Sequence, residues 1–333
     1  MQKRILGNSG IEVSALGLGC MGFSHAYGKP TEKKEAIKTL QQAVDMGYTF
    51  FDTAEIYGTY DNPYDNETLL GEAFEHYQDL VIASKFGIRF DLEAKVTPYP
   101  IIPDASPERI RKSIDGSLKR LKRDYLDIYY QHRIDPRVEP ETVAEVMAEL
   151  IKAGKIRSWG ISEANEEYLR RAHAVCPVTA IENRYSMMAR WHESLFPLLE
   201  ELNIAFVAFS PMANGLLTGK YGKGTTYDKE FDYRSKMPQF TDEGIEKNRE
   251  LLELIAATAQ KHKATSAQIS LAWMLCKKPY IIPIPGSRKI ERLMENAGSA
   301  SVLLTAEEIA ELDDKLEKIS MSDVFGGTKI IQK

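Results

Sequence analysis

Cysteine is scarce in this sequence. Cys20, Cys176 and Cys276 are the only three thiols in 333 residues, and none sits in a CxxC spacing. A disulfide framework is therefore excluded, no zinc-ligand pattern remains, and no metal is expected; a reducing, cytoplasmic setting fits. A basic surplus is also missing. Lys and Arg number 43 against 48 Asp and Glu, for a net charge of −5 and a pI near 5.8. Nucleic-acid binding relies on Lys/Arg patches, so no nucleic-acid partner is expected. No apolar run approaches the roughly 20 residues that a membrane-spanning helix needs, so no membrane partner is expected either. The start, Met1-Gln2-Lys3-Arg4, leads into Gly7-Asn8-Ser9-Gly10, which reads as a hairpin turn rather than a secretory leader. Low-complexity tracts and composition breaks that would mark a linker are absent as well.

What is present is an alternation of strand and helix signals. It is plainest in Phe50-Phe51-Asp52-Thr53-Ala54-Glu55-Ile56-Tyr57-Gly58, where an apolar run stops abruptly at an acid and a tyrosine follows five residues later. Apolar residues ending in Asp-Thr read as a buried strand that stops at a polar rim, and Asp52 could equally serve as a helix cap. Further buried strands are expected at residues 80–83, 125–131, 156–161, 178–181, 204–209 and 280–284. Helices are expected from residues 31 or 32, then at 141–153, 166–174, 194–202 and 305–319. Another opens at Ser106-Pro107-Glu108, with Ile110, Ile114, Leu118 and Leu121 at helical spacing. Counted from Ala15, eight short strands are each followed by helix. Short connections leave such strands parallel, and eight of them predict a closed (β/α)8 TIM barrel. An N-terminal hairpin and an extra C-terminal helix complete the expected α/β fold, a single domain over residues 1–333.

Gly17-x-Gly19-x-x-Gly22 spells a dinucleotide fingerprint, but such a fingerprint must open directly into a helix. Turn-rich residues 23–30 intervene here. The glycines are expected to allow a tight strand end and close ligand approach instead.

In a barrel, chemistry gathers at the C-terminal ends of the strands. Those ends read Asp52, Lys85, His132, Ser162, Glu182 and Ser210, with Tyr57 on the loop after Asp52. A tyrosine, with its usual pKa near 10, is a poor acid or base at neutral pH. The Lys85 ammonium is expected to lower it, Asp52 to neutralise and orient Lys85, and His132 to hydrogen-bond a carbonyl oxygen and steer it to Tyr57. A phenol tuned in this way is a general acid for a carbonyl that receives hydride, or a base for the reverse. Cys20 and Met21, after the first strand, are expected to border a cofactor. Phe23 and Phe86 are expected to line the substrate pocket, with two long loops at residues 87–105 and 212–240.

Asp52-x-x-x-x-Tyr57-Gly58, Ala83-Ser84-Lys85 and Gln131-His132 resemble the signatures of the aldo-keto reductase superfamily, over nearly the whole chain, and within it the bacterial and plant NADP-dependent branch. The resemblance implies NADPH bound without a Rossmann fold and hydride transfer to an aldehyde or ketone. Tyr57 would be the acid, Lys85 and Asp52 its tuners, and His132 the substrate-orienting residue. It also implies that Phe209 stacks on the nicotinamide. Ser210, Asn214, Gly215, Leu216 and Lys220 would wrap the pyrophosphate and ribose. Gly286, Ser287, Arg288 and Arg292 would hold the 2′-phosphate, and Glu295 and Asn296 the adenine. Ser287 would cap the last barrel helix, with Arg288 and Arg292 sharing one of its faces. Guanidinium groups suit a phosphate dianion. The nicotinamide carboxamide falls to Ser162, Glu163 and Glu182. The last departs from the family's usual Gln, and its charge is expected to favour the oxidised, cationic ring. Two other readings compete: a slow NADP(H)-binding redox sensor, and a Schiff-base aldolase using Lys85. The oligomeric state is not written in the sequence.

Overall fold

In this computed structural model, which describes residues 1–59, 61–96 and 100–325, a parallel eight-stranded sheet curls around an apolar centre. A hairpin, β1 (Lys3–Ile5) and β2 (Glu12–Ser14), precedes it. The barrel strands are β3 (Leu18–Gly19), β4 (Phe50–Asp52), β5 (Val81–Phe86), β8 (Leu126–Gln131), β9 (Ile156–Ser162), β10 (Ala180–Arg184), β11 (Ala205–Phe209) and β12 (Ile281–Pro283). Their spatial order is their chain order, and each neighbouring pair runs parallel. The first and last strands meet where Gly17 N donates to Pro283 O at 3.0 Å, which closes the expected TIM barrel.

Helices α1 (Lys33–Asp45), α2 (Asp65–Ala73), α3 (Pro107–Leu121), α4 (Pro140–Lys152), α5 (Glu166–Val175) and α6 (Phe196–Leu202) alternate with the strands. The helix expected after residue 241, with a break near Ala264, does break there, between α8 (Arg249–Lys261) and α9 (Ser266–Lys277), and a short α7 (Asp242–Lys247) precedes them. α10 (Ile290–Gly298) follows the last strand, and α11 (Ala306–Lys318) is the extra C-terminal helix, begun by a capping box between Thr305 and Glu308. The Gly17–Gly22 stretch enters a short 3-10 turn and a loop, not a helix, so the dinucleotide fingerprint is indeed misleading.

The hydrophobic residues divide into two layers, as strand periodicity requires. Phe50, Val81, Ile128, Tyr130, Val207 and Ile282 fill the barrel, and Leu6, Ile11 and Val13 of the hairpin segment plug its N-terminal end. The larger cluster lies between strands and helices. The segment at residues 87–105, expected as an irregular loop, carries an antiparallel hairpin, β6 (Ile88–Phe90) with β7 (Ile101–Pro103). Ser106 stands at the α3 N-cap as expected, but its hydroxyl donates to Asp104 at 2.9 Å and makes no cap bond.

Barrel closure depends on the absence of a side chain at Gly17. A Cβ there would stand 2.6 Å from the Phe50 ring and 2.9 Å from Ile284 Cγ2, inside the filled barrel. Overpacking of this kind costs about 1–3 kcal/mol. Gly17→Ala is therefore expected to lower the urea midpoint with an unchanged slope; an unchanged midpoint would show that the seam is loosely packed.

Candidate active site

The loop that carries Tyr57 is fixed from below. Asn66, fully buried at the start of α2, accepts from the Thr53 hydroxyl at 2.6 Å. Its backbone N–H donates to Tyr57 O at 3.1 Å, and its side-chain amide donates to Cys20 O at 2.9 Å. Glu55 is buried against Ser113 at 2.8 Å and Arg109 at 3.1 Å on α3. Gly58 lets the loop double back, since a Cβ there would stand 2.1 Å from Asn62 O.

Three strand ends then converge. Lys85 Nζ donates to Asp52 Oδ1 at 2.5 Å and to Thr53 O at 2.9 Å, and lies 3.3 Å from Glu182 Oε1. It also stands 5.0 Å from the centre of the Tyr57 ring. The Tyr57 ring meets His132 edge-on, with centroids 5.5 Å apart. All four tetrad positions expected from sequence thus come together. Glu182, expected at the nicotinamide carboxamide, also reaches Lys85.

The electrostatics follow from burial and from this pairing. Burial alone would depress the Lys85 ammonium, but Asp52, Glu182 and Tyr57 together hold its pKa above the ordinary lysine value. A Schiff-base lysine must be neutral, so this one is unsuited to the aldolase reading. Burial raises Asp52 against the pull of Lys85. Burial and then the Asp52 charge push Glu182 up to about 8. Tyr57 departs from expectation. Lys85 and Arg133 do lower it, but burial, Asp52 and Glu182 outweigh them and push it up to about 12. The expectation weighed the ammonium and its Asp52 partner, but not the burial that raises the phenol most, nor the second acid, Glu182. The phenol is therefore a protonated donor at neutral pH. Burial, followed by the Arg133 and Lys85 charges, holds His132 well below the usual imidazole range, so its ring is neutral. The Cys20 thiol is raised by burial and bonds to Leu18 O, which leaves it unreactive.

Phe23 and Phe86 are each 1% exposed and belong to the layer beneath the helices, with Phe86 against Tyr129 at 4.8 Å. They do not line a pocket. Successive strand residues face opposite ways, so Lys85 inside the barrel forces Phe86 outside it. The wall beside Tyr57 is built instead from residues that sequence reasoning missed. His25 stacks on Tyr57 at 6.3 Å and meets Tyr233 edge-on at 5.6 Å. Arg133 donates to Ser162 Oγ at 3.3 Å. Arg184 lies over the Phe209 ring at 4.9 Å. Two of these carried a signal: Arg133 follows His132 at a strand tip, and Arg184 is two residues beyond Glu182, on the same strand face.

The cofactor positions expected from the resemblance run along the same rim. Glu163, Ser210 and Asn214 have positive φ, as does Gly215. Asn214 donates to the Tyr27 hydroxyl at 2.7 Å, Leu216 is buried in the core, and Met21 begins the 3-10 turn beside Cys20. Lys220 and Arg292 both pair with Glu295, at 3.1 and 2.9 Å. Asn296 is buried, and its Nδ2 has no hydrogen-bond partner among the described residues. The helix after Gly286 begins later than expected. Its N-cap is Lys289, and Ser287 Oγ accepts from Lys289 N at 3.1 Å without capping it. Arg288 therefore precedes the helix and does not share a face with Arg292. Its guanidinium holds Tyr27 O and Lys29 O at 2.6 and 2.7 Å.

The chain matches the model of the aldo/keto reductase family over residues 15–317. It is 38% identical over 326 residues to a probable aldo-keto reductase of Glycine max, covering 97% of this chain and 90% of that one. A glycerol dehydrogenase from Gluconobacter oxydans superposes with a TM-score of 0.84 at 27% identity, covering 95% of each chain. The holo form of an aldo-keto reductase from Bacillus halodurans superposes with a TM-score of 0.76 at 25% identity, covering 98% of each.

A neutral His132 has a direct test. Its imidazole is expected to stay unprotonated as pH falls through about 6.5, the ordinary histidine midpoint. Nitrogen chemical shifts of the ring, assigned with His132→Gln, check this; protonation at that midpoint would contradict the buried, cation-flanked environment.

Proposed function

The chain belongs to the aldo/keto reductase family, and from that premise we propose that it is an NADPH-dependent oxidoreductase that reduces aldehydes or ketones to alcohols, with residues 1–333 acting as one domain. The observation that carries the reading is the Asp52–Lys85–Tyr57–His132 cluster at the C-terminal end of the barrel. In it a protonated phenol, a fixed ammonium and a neutral imidazole share one small site.

The residues present fit a nucleotide. Asn296 offers a buried amide donor with no partner among the described residues, as a group that receives adenine requires. Phe209 supplies the flat ring for the nicotinamide, and Arg292 and Ser287 the donors for a 2′-phosphate. When bound, NADPH supplies the hydride that the carbonyl carbon accepts. Tyr57 donates its hydroxyl proton to the carbonyl oxygen as charge develops there. Lys85 stabilises the phenolate left behind, and Asp52 keeps Lys85 charged and in place. His132, neutral, donates a hydrogen bond to the same oxygen and fixes its approach. His25 and Tyr233 crowd the mouth and favour flat or apolar substituents on the carbonyl. One structural relative is by name a glycerol dehydrogenase, so alcohol oxidation, with Tyr57 as base, is the natural reverse. The three free cysteines suit a reducing compartment.

The test is consumption of NADPH with 4-nitrobenzaldehyde, followed at the reduced-nicotinamide band. Wild type is expected to turn over, and Tyr57→Phe to lose about 10²–10⁴-fold in kcat while NADPH still binds. Equal use of NADH would remove the phosphate role from Arg292 and Ser287. Tight NADPH binding without turnover in wild type would favour a sensor.

A further inference from the structure

Glu182 lies in the buried cluster yet takes no part in the proton and hydride chemistry above. Its side chain is 4% exposed, with Oε1 3.3 Å from Lys85 Nζ. Asp52 Oδ1 approaches the same nitrogen at 2.5 Å. Each acid thus turns one oxygen to the ammonium. The other two, Asp52 Oδ2 and Glu182 Oε2, are buried, and neither accepts a hydrogen bond from any described donor. Two carboxylates on one ammonium would carry a net charge of −1 with two unsatisfied acceptors, a costly arrangement away from water. The two carboxyl groups meet on the same Lys85 Nζ, at 2.5 and 3.3 Å, and so stand side by side in the buried cluster. One proton held by the pair supplies the missing donor and brings the cluster to neutrality.

We propose, resting on the reductase reading above, that Asp52 and Glu182 form a dyad holding one shared proton beneath Tyr57, and that loss of this proton shifts the site's preference from reduced toward oxidised nicotinamide. The step balances simply: the dyad gives one proton to solvent, and the cluster passes from neutral to −1. The oxidised ring carries one positive charge more than the reduced ring, so only the deprotonated cluster discriminates between them. This changes the expectation from sequence, in which Glu182 is a standing negative charge; at neutral pH it is an acid.

The surrounding groups leave the dyad as the one that moves. Tyr57, on the loop after β4, and Tyr130, on β8, are both held protonated by burial. Cys20, after β3, stays a thiol, and Lys85 on β5 stays an ammonium. His132 beyond β8 is neutral, and Arg133 beside it is a cation, as is Arg184 further along β10. The strand neighbours paired with Glu182, Ser162 on β9 and Val207 on β11, carry no charge. With Glu182 pushed up to about 8, the release falls just above neutral pH.

The experiment is fluorescence titration of the protein with NADP+ and with NADPH across pH about 6.5 to 9.5, bracketing that midpoint. The 2′-phosphate is common to both nucleotides, so its titration cancels in their ratio. In wild type the preference for NADP+ over NADPH is expected to rise about tenfold as pH climbs, from one added charge at short range. Glu182→Gln, which cannot ionise, is expected to stay at the low-pH ratio throughout. A ratio independent of pH in wild type, or one that rises equally in Glu182→Gln, overturns the dyad and leaves the reductase reading standing. Failure of both nucleotides to bind overturns the cofactor reading instead. A second measurement needs neither nucleotide nor variant. The infrared carbonyl band of a protonated carboxyl should disappear from the wild-type protein as pH passes about 8, where a buried acid with so raised a midpoint ionises. Its absence below that pH also overturns the proposal.

Discussion

A buried ammonium is the constraint on which this structure turns. Lys85 sits at the C-terminal end of a barrel filled by Phe50, Val81, Ile128 and Val207, where an isolated charge would lose its proton. Asp52 prevents that from β4, and Glu182 turns a second oxygen to the same nitrogen from β10, across the barrel. Only a closed sheet brings those two strands to one point, so the charge and the barrel require each other. The sign of each neighbour then follows. Burial, with the acids nearby, keeps the phenol of Tyr57 protonated, and burial, with Arg133 and Lys85, keeps the imidazole of His132 neutral. A proton donor and a neutral hydrogen-bond donor at one mouth are what a carbonyl oxygen needs when hydride arrives at its carbon.

Much of this is legible in the sequence. Asp52, Lys85, His132 and Glu182 each stand where an apolar strand stops, and a barrel gathers such ends at one face. The eight strands, the hairpin and the extra helix are legible for the same reason: periodicity and turn chemistry are local. Sequence reasoning fails where direction or partnership decides. Phe86 reads as a pocket residue because it is next to Lys85 in the chain, although neighbouring strand residues face opposite ways. The pairing of Arg288 with Arg292 assumes a helix that begins at Ser287, whereas Lys289 is its N-cap. The sign of the Tyr57 shift escapes a local reading because burial decides it first, and because Glu182, about a hundred residues beyond Lys85, reaches the same lysine.

What the sequence could not disclose was the belt across the active face. Gly28 N donates to Phe231 O at 2.9 Å, and Tyr233 N to Ala26 O at 2.9 Å. Arg288 ties the same segment to the last barrel strand's loop, and Asn214 reaches Tyr27 from beneath. These contacts join segments roughly two hundred residues apart, with no periodicity to announce them. They place His25 against Tyr57 and Tyr233 against His25, and so shape the rim around the phenol.

On the proposed reading, the Lys85 cluster is where hydride reaches a carbonyl. A single-turnover reaction with NADPH deuterated on its transferable position, followed by mass spectrometry of the alcohol, tests this most directly. One deuterium on the carbinol carbon is predicted in wild type, with much slower transfer in Lys85→Met that still binds the nucleotide. Unlabelled alcohol, or label transferred equally fast by Lys85→Met, would contradict it.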